Sequence, residues 1–290
     1  MRMSRPAIQL VPYHQDPLEV LAKRVLADHE IDLPNLSAVS VILAEPQAAP
    51  LLRAGLLRLS AEQGYPALLG PRILTLRDWV RAFFPGDIQV CDPHTQLLIL
   101  VEALSQHPTL LKSANPWALA TDLVSLFDEL TLNHIDLPAD LDDFTQQLQT
   151  AYGLHSNEIS ALGQEARLVH TLWHAWHQQL QADGLMDNQA AYLLALNQSL
   201  EHVPAEHTLY LAGFHRFNPA ELNWISTLLQ RQHTHLLLHG QAGVAPERYH
   251  PDAPLSYLLQ QLPKIKSEPS SDAPYSATLN LLYDETVGSL

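Results

Sequence analysis

Residues 208–225 read TLYLAGFHRFNPAELNWI. The run from Thr208 to Ala212 is apolar and of strand type, Gly213 breaks it, and Pro219 opens a stretch with helical spacing. The segment therefore reads as a buried strand, a turn and a helix. In an α/β protein that hydrolyses a nucleotide, such a strand ends in carboxylates that hold magnesium and position water. This one ends in Ala212, Gly213, Phe214 and His215.

The same grammar runs outward on both sides. The stretches AIQLVP from Ala7 and AVSVILAE from Ala38 are short β-branched runs bounded by Pro and polar residues, the pattern of buried strands. Between them DPLEVLAKRVLAD predicts a helix, with Asp16 as cap, Pro17 in the first position, and Leu18, Leu21 and Val25 on one face. A strand, helix, strand unit of this kind predicts a parallel sheet. A second helix, AAPLLRAGLLRLSAEQG, stops at Gly64, and PRILTLRDWVRAFF gives a short strand at 73–76 and another helix. Beyond Gly213 the helix PAELNWISTLLQRQ leads to the strand THLLLHG from Thr234.

From residue 93 to 203 the strand signals stop and amphipathic stretches succeed one another, so the segment reads as an all-helical insertion. The α/β domain is thus divided into residues 1–92 and 204–245. Residues 246–290 are rich in Pro and Ser and read as a linker-like segment, with a short helix near 255–262 and one last strand in ATLNLLYDETVGSL. The abrupt finish predicts that the chain is the front piece of a longer protein.

The totals narrow the possibilities. With 290 residues, 47% of them apolar, the chain can bury a real core. Cys91 is the only cysteine, which excludes an internal disulfide and a cysteine cluster and fits a cytoplasmic setting. The first apolar run breaks at Pro12, too early for a signal peptide, and no run reaches the ~18 residues that span a bilayer, so no membrane partner is expected. Sixteen Lys and Arg against 31 Asp and Glu give a formal charge of −15. Such a surface repels nucleic acid unless its cations gather in one patch.

Several residue groups invite a chemical reading. A phosphate-binding loop needs glycines for close backbone approach, a Lys, and a Ser or Thr, as in G-x-x-x-x-G-K-[ST]. The turn from Pro12 to Asp16 has none of these, and Asp16 adds a negative charge at its mouth. His170, His174 and His177 share a helix face at zinc-like spacing, but no Glu follows His170, and Trp173 and Trp176 suggest a helix that packs its aromatics and turns its histidines to solvent. No metal site is expected. Cys91 lacks a nucleophile elbow, and the pairs Asp128 with Glu129 and Asp142 with Asp143 sit where acids cap helices or aid solubility. The interval 53–81 is positive, with Arg53, Arg58, Arg72, Arg77 and Arg81 against Glu62 and Asp78. Arg53, Arg72, Thr75 and Arg77 are the candidate phosphate contacts; ordinary solvated arginines are the competing reading.

Taken in order, these segments resemble the N-terminal, inactivated helicase-like region of AddB-type nuclease subunits. Those are relatives of UvrD-like helicases that carry a PD-(D/E)xK exonuclease domain at the far end. The family pattern "P.r.a...L...L" after the second strand, "PRI.TL..", and a strand ending in AG before "...P....L" correspond to residues 41–57, 71–76 and 210–222. The resemblance implies a degenerate P-loop NTPase-like sheet without Walker motifs, in which VPYHQDP and LAGFHRF stand where the two ATP motifs were. Tyr13, His14, Asp16, Gly213 and His215 would then mark a lost nucleotide site. It also implies that Arg53 and residues 72–75 match elements that touch single-stranded DNA, and that the partners are single-stranded or end-processed DNA, a helicase-nuclease subunit, or both. The implied role is a non-catalytic scaffold of a nuclease for double-strand-break repair and recombination. No cofactor, ATP included, is expected in this chain; exonuclease cutting, with its magnesium and iron–sulfur cluster, would belong to residues beyond Leu290. Two other readings stay open: a doubly wound small-molecule enzyme with a site at Tyr13, Glu45 and His215, and a protein-interaction module anchored by Trp117, Trp173 and Trp176.

Overall fold

The computed structural model describes residues 7–106, 115–152, 159–231, 233–240, 253–262 and 267–268. The last strand expected in residues 277–290 and most of the linker-like segment lie outside these. Two compact units emerge, one made of Met1–Trp79, Leu200–Phe217 and Glu221–Leu290, the other of Val80–Ser199 with Asn218–Ala220.

The first unit is an α/β layer structure. Its strands are β1 (Ile8–Val11), β2 (Val39–Leu43), β3 (Arg72–Thr75), β6 (Thr208–Ala212), β7 (Thr234–His239) and a two-residue β8 (Ser267–Glu268). They form one sheet in the order β3-β2-β6-β7-β1-β8, and every pairing is parallel. The runs near Ile8, Val41, Ile73, Leu209 and Leu236 are therefore all strands of one sheet. All five residues of β2 and of β6 are buried, as strands covered on both faces must be. On one face Val11, Val39, Val41, Leu43, Tyr210, Ala212 and Leu237 pack with Leu21, Val25 and Leu26 of α1 (Pro17–Asp28) and with Leu52, Leu56 and Leu59 of α2 (Ala49–Glu62). The alternate residues Ile42, Leu211, Leu236 and Leu238 are buried on the other face. Trp224 of α9 (Pro219–Leu229) is fully buried and meets the edge of Trp79, ring centroids 5.8 Å apart, in the short helix α3 (Leu76–Val80).

The second unit is mainly helical, with α4 (Pro93–Gln106), α5 (Pro116–Leu132), α6 (Leu141–Tyr152), α7 (Ile159–Asp183) and α8 (Asn188–His202, whose last residues belong to the first unit). Its core gathers Leu100, Leu104, Leu123, Phe127, Trp173 and Trp176. It is not wholly helical, because β4 (Gln89–Val90) pairs in parallel with β5 (Leu185–Met186). Two-residue strands are too short to show a period, which is why the sequence gives no sign of them. The short helix expected near 255–262 is α10 (Ala253–Gln261), which belongs to the first unit and buries Leu255 and Leu258.

One interior contact is charged. Arg24 of α1, its side chain 4% exposed, donates from Nη1 to Gln9 Oε1 at 2.6 Å and from Nη2 to His235 Nδ1 at 2.8 Å, and its Nε lies 3.4 Å from Asp28 Oδ2. The same Asp28 oxygen accepts from the Tyr210 hydroxyl at 3.0 Å, and the His235 ring stacks on Tyr210 at 4.9 Å. Breaking a buried ion pair at its cation leaves a stranded carboxylate, whereas deleting one neutral donor does not. Arg24→Ala should cost about 3 kcal/mol of stability in urea denaturation, and Tyr210→Phe about 1 kcal/mol; equal losses would show that the guanidinium is not the hub.

Candidate functional site

In open parallel sheets ligands collect beyond the carboxyl ends of the strands, so the turns after β1, β2, β6, β7 and β3 define the place to look. After β1 the chain makes a tight turn, with Gln15 N–H donating to Pro12 O at 3.0 Å. Asp16 then caps α1, its Oδ1 accepting from Leu18 N–H at 2.9 Å, with Pro17 in the first helical turn. The helix N-terminus, which a phosphate would occupy in a nucleotide site, thus holds an internal carboxylate. Tyr13 is half exposed and stands edge-on to the His239 ring at the end of β7, centroids 5.0 Å apart. His14 Nε2 is 3.5 Å from Gln15 Nε2.

The end of β6 carries no carboxylate of its own, and the acid that follows the paired strand β2 is Glu45. Gly213 has φ +82°, a conformation that disfavours any residue with a Cβ. A Cβ there would make only ordinary contact with Ala44 Cβ at 3.6 Å, so the glycine serves the turn; just before it, Ala44 N–H donates to Ala212 O at 3.1 Å and closes the ladder between β2 and β6. Phe214 and Phe217 stack at 5.0 Å, and His215 and Arg216 between them are exposed. Glu45, after β2, is also exposed.

The positive interval divides. Arg53 is exposed in the first turns of α2, which follows the carboxyl end of β2. Thr75 ends β3 and caps α3: its Oγ1 donates to Asp78 Oδ2 at 2.6 Å and accepts from Asp78 N–H at 3.2 Å. Arg77 is exposed in the next turn. Arg72 begins β3, three residues and about 10 Å of strand away from Thr75, at the opposite edge of the sheet. Arg58 is engaged by Glu62 at 3.0 Å and Glu19 at 3.8 Å, and Arg81 belongs to the second unit.

Other candidates take structural places. His170 Nε2 and His174 Nε2 both donate to the Pro138 carbonyl, at 2.8 and 3.0 Å, and His170 stacks on Phe144. His170 is buried, so the expectation that this face turns its histidines to solvent fails there. Among the described residues no group of three or more His, Cys, Asp or Glu is arranged to hold a metal. Cys91 is buried, and burial together with Asp92, Asp187 and Asp183 pushes its thiol up, away from a reactive thiolate. Asp128 Oδ2 accepts from Gln189 Nε2 at 2.8 Å, a bond between α5 and α8. As docking anchors the tryptophans divide: Trp117 is 51% exposed, but Trp173 and Trp176 are 5% and 2% exposed in the core of the second unit. An open cleft of about 490 Å³ in that unit is lined by Pro138, Asp143, Gln146, Gln147, Thr150 and Ala151, with no cation among them.

Sequence reasoning missed a pair at the amino edge of the sheet. His207 Nε2 lies 2.9 Å from the Oγ of buried Ser40. A serine inside an otherwise apolar strand is the one signal that could have disclosed it. Burial, then the charge of Arg72, disfavours protonation of His207, with Glu206 opposing.

No protein-family model matches the chain, and no curated protein matches it by sequence. Among the described residues no helix is long and apolar enough to cross a membrane.

Two outcomes follow. Because the protonated form of His207 is disfavoured in the fold, its share of stability is complete above the ordinary histidine value of ~6.5 and is lost as pH falls below it. Denaturation midpoints at pH 7.5 and 5.5 should therefore differ less in His207→Gln than in the unchanged chain; an identical difference would refute the assignment. Asp16→Ala should cost about 1 kcal/mol in thermal or urea unfolding, as loss of a cap does.

Proposed function

We propose that this chain is a non-catalytic, helicase-like scaffold that holds single-stranded DNA and a helicase-nuclease partner subunit in the repair of double-strand breaks. The observation that carries this reading is the capped turn after β1. A P-loop NTPase-like sheet has kept its strand, turn and helix there, while Asp16 supplies the negative charge that a nucleotide phosphate would bring. The β6 turn complements it, with no magnesium ligand where a Walker B strand would present one. Strand order supports the same relationship, since β7 separates β1 from β6 as a strand separates the two ATP motifs in helicase-type cores. Residues 80–199 stand as the helical insertion of that architecture. Exonuclease chemistry, with magnesium and an iron–sulfur cluster, belongs to a further domain of the whole protein.

The overall charge of −15 opposes DNA binding less than it first suggests. Residues 80–199 hold fourteen acidic residues against three basic ones, Arg81, Lys112 and Arg167. The α/β unit carries the rest, thirteen basic against seventeen acidic, and is close to balance. Local cations on that unit set the phosphate affinity.

Anisotropy of a labelled single-stranded oligonucleotide against this chain, across a salt series, tests the reading. Binding should weaken steeply with salt, and Arg53→Ala, Arg72→Ala and Arg77→Ala together should lower the slope of log K against log salt by about 2. Absence of binding at low salt by the folded chain would leave protein contacts as its function. Micromolar ATP binding in calorimetry would overturn the degenerate-helicase part.

A further inference from the structure

The amino edge of the sheet carries its own cluster. Ser40 of β2 pairs in register with Arg72 of β3 on one side and with Leu209 of β6 on the other. In a parallel sheet register partners point to the same face, so Arg72 starts on the face that Ser40 occupies. His207, one residue before β6, is held against that serine by the 2.9 Å contact between Ser40 Oγ and its Nε2. The strands flanking β2 thus place Arg72 and His207 on either side of one serine, close enough for the Arg72 charge to act on the imidazole. Arg72 is exposed, and among the described residues no carboxylate lies within ion-pair distance of it. His207 is half-buried, with Glu206 the nearest acid acting on it. Ser40 engages one ring nitrogen and leaves the other for a ligand.

We propose that Arg72 and His207 form a binding point for a phosphate group at the amino edge of the sheet, with Ser40 positioning the imidazole. The guanidinium fork matches a pair of phosphate oxygens, and a protonated imidazole adds a second charged donor. A bound anion cancels the repulsion between Arg72 and protonated His207. By linkage it therefore favours protonation of His207, and protonation tightens the anion in turn. Arg72 and Glu206 are the charged groups that act on this histidine, and Ser40 is neutral. The site is separate from the carboxyl-edge turns, and it stands or falls with phosphate alone, whatever the outcome for DNA.

NMR of the histidine ring signals in the whole chain, at constant ionic strength, gives the test. The probes are dimethyl phosphate, a monoanion at every pH used, and inorganic phosphate. His207 should shift saturably with at least one of them, and the affinity for dimethyl phosphate, where it binds, should be about fivefold or more higher at pH 5.5 than at pH 8. Arg72→Gln should weaken binding by at least about fivefold, and Arg72→Lys, which keeps the charge but loses the fork, should recover part of it. A response to the diester and to a short oligothymidylate assigns the point to a nucleic-acid backbone, and a response to inorganic phosphate alone assigns it to free phosphate. No saturable shift with either probe, or a shift that survives Arg72→Gln in a chain shown folded by circular dichroism, overturns the proposal.

Discussion

The buried guanidinium of Arg24 is the interaction on which the α/β unit depends. A charge that leaves water loses several kcal/mol of solvation, and the loss is tolerable only where every donor finds an acceptor. Arg24 finds them on three different elements: Gln9 of β1, His235 of β7 and Asp28 of its own helix, with Tyr210 of β6 reaching the same carboxylate. An apolar residue in that place would tolerate a slide or rotation of α1 over the sheet. The planar fork does not, because a shift of an ångström breaks two short hydrogen bonds at once. The direction of α1 is thereby fixed against the two adjacent strands β7 and β1.

That direction determines what the carboxyl edge presents. With α1 fixed, the turn from Pro12 to Asp16 has little room to open, and Asp16 closes the helix terminus from within. The turn after β6, on the far side of β7, is likewise settled by internal needs, Gly213 supplying a positive φ where the chain passes Ala44. This edge presents Tyr13, Phe214 and Phe217 with His14, His215 and His239, together with Asp16, which is turned to its own helix, and exposed Glu45. Rings and imidazoles hold ligands by stacking and single hydrogen bonds.

The sheet was legible because its strands are short apolar runs separated by helical periods, and periodicity depends on many residues at once. The cap at Asp16 was legible because a cap is local: Asp followed by Pro allows few conformations. What could not be read depends on partners distant in sequence. Arg24 looks like one more charge beside Lys23, and only the fold brings Gln9 and His235 to it. His170 and His174 share a helix face as their spacing predicts, but the spacing carries no hint that the Pro138 carbonyl occupies both. Trp173 and Trp176, interleaved with those histidines on the same helix, read as docking anchors only until Phe127 packs edge-on against Trp173 at 5.2 Å.

A run of like charges in sequence is not a patch in space, and β3 shows why. Strand geometry moves the chain about 10 Å in three residues, so Arg72 and Thr75 stand at opposite edges of the sheet although they are nearly adjacent in the chain. The two ends still share one feature. Among the described residues β3 is the outermost strand on its side, so no further strand covers the line that joins them. A nucleic-acid strand crossing the sheet near Glu45 and Gly213 would meet only the carboxyl-edge groups. One running along β3 would meet Arg77 and Thr75 at one end and Arg72 with His207 at the other. The two paths differ in the number of phosphates neutralised and hence in salt dependence. The effect of Arg72 on that dependence, taken apart from Arg53 and Arg77, therefore reports the direction in which a bound strand lies.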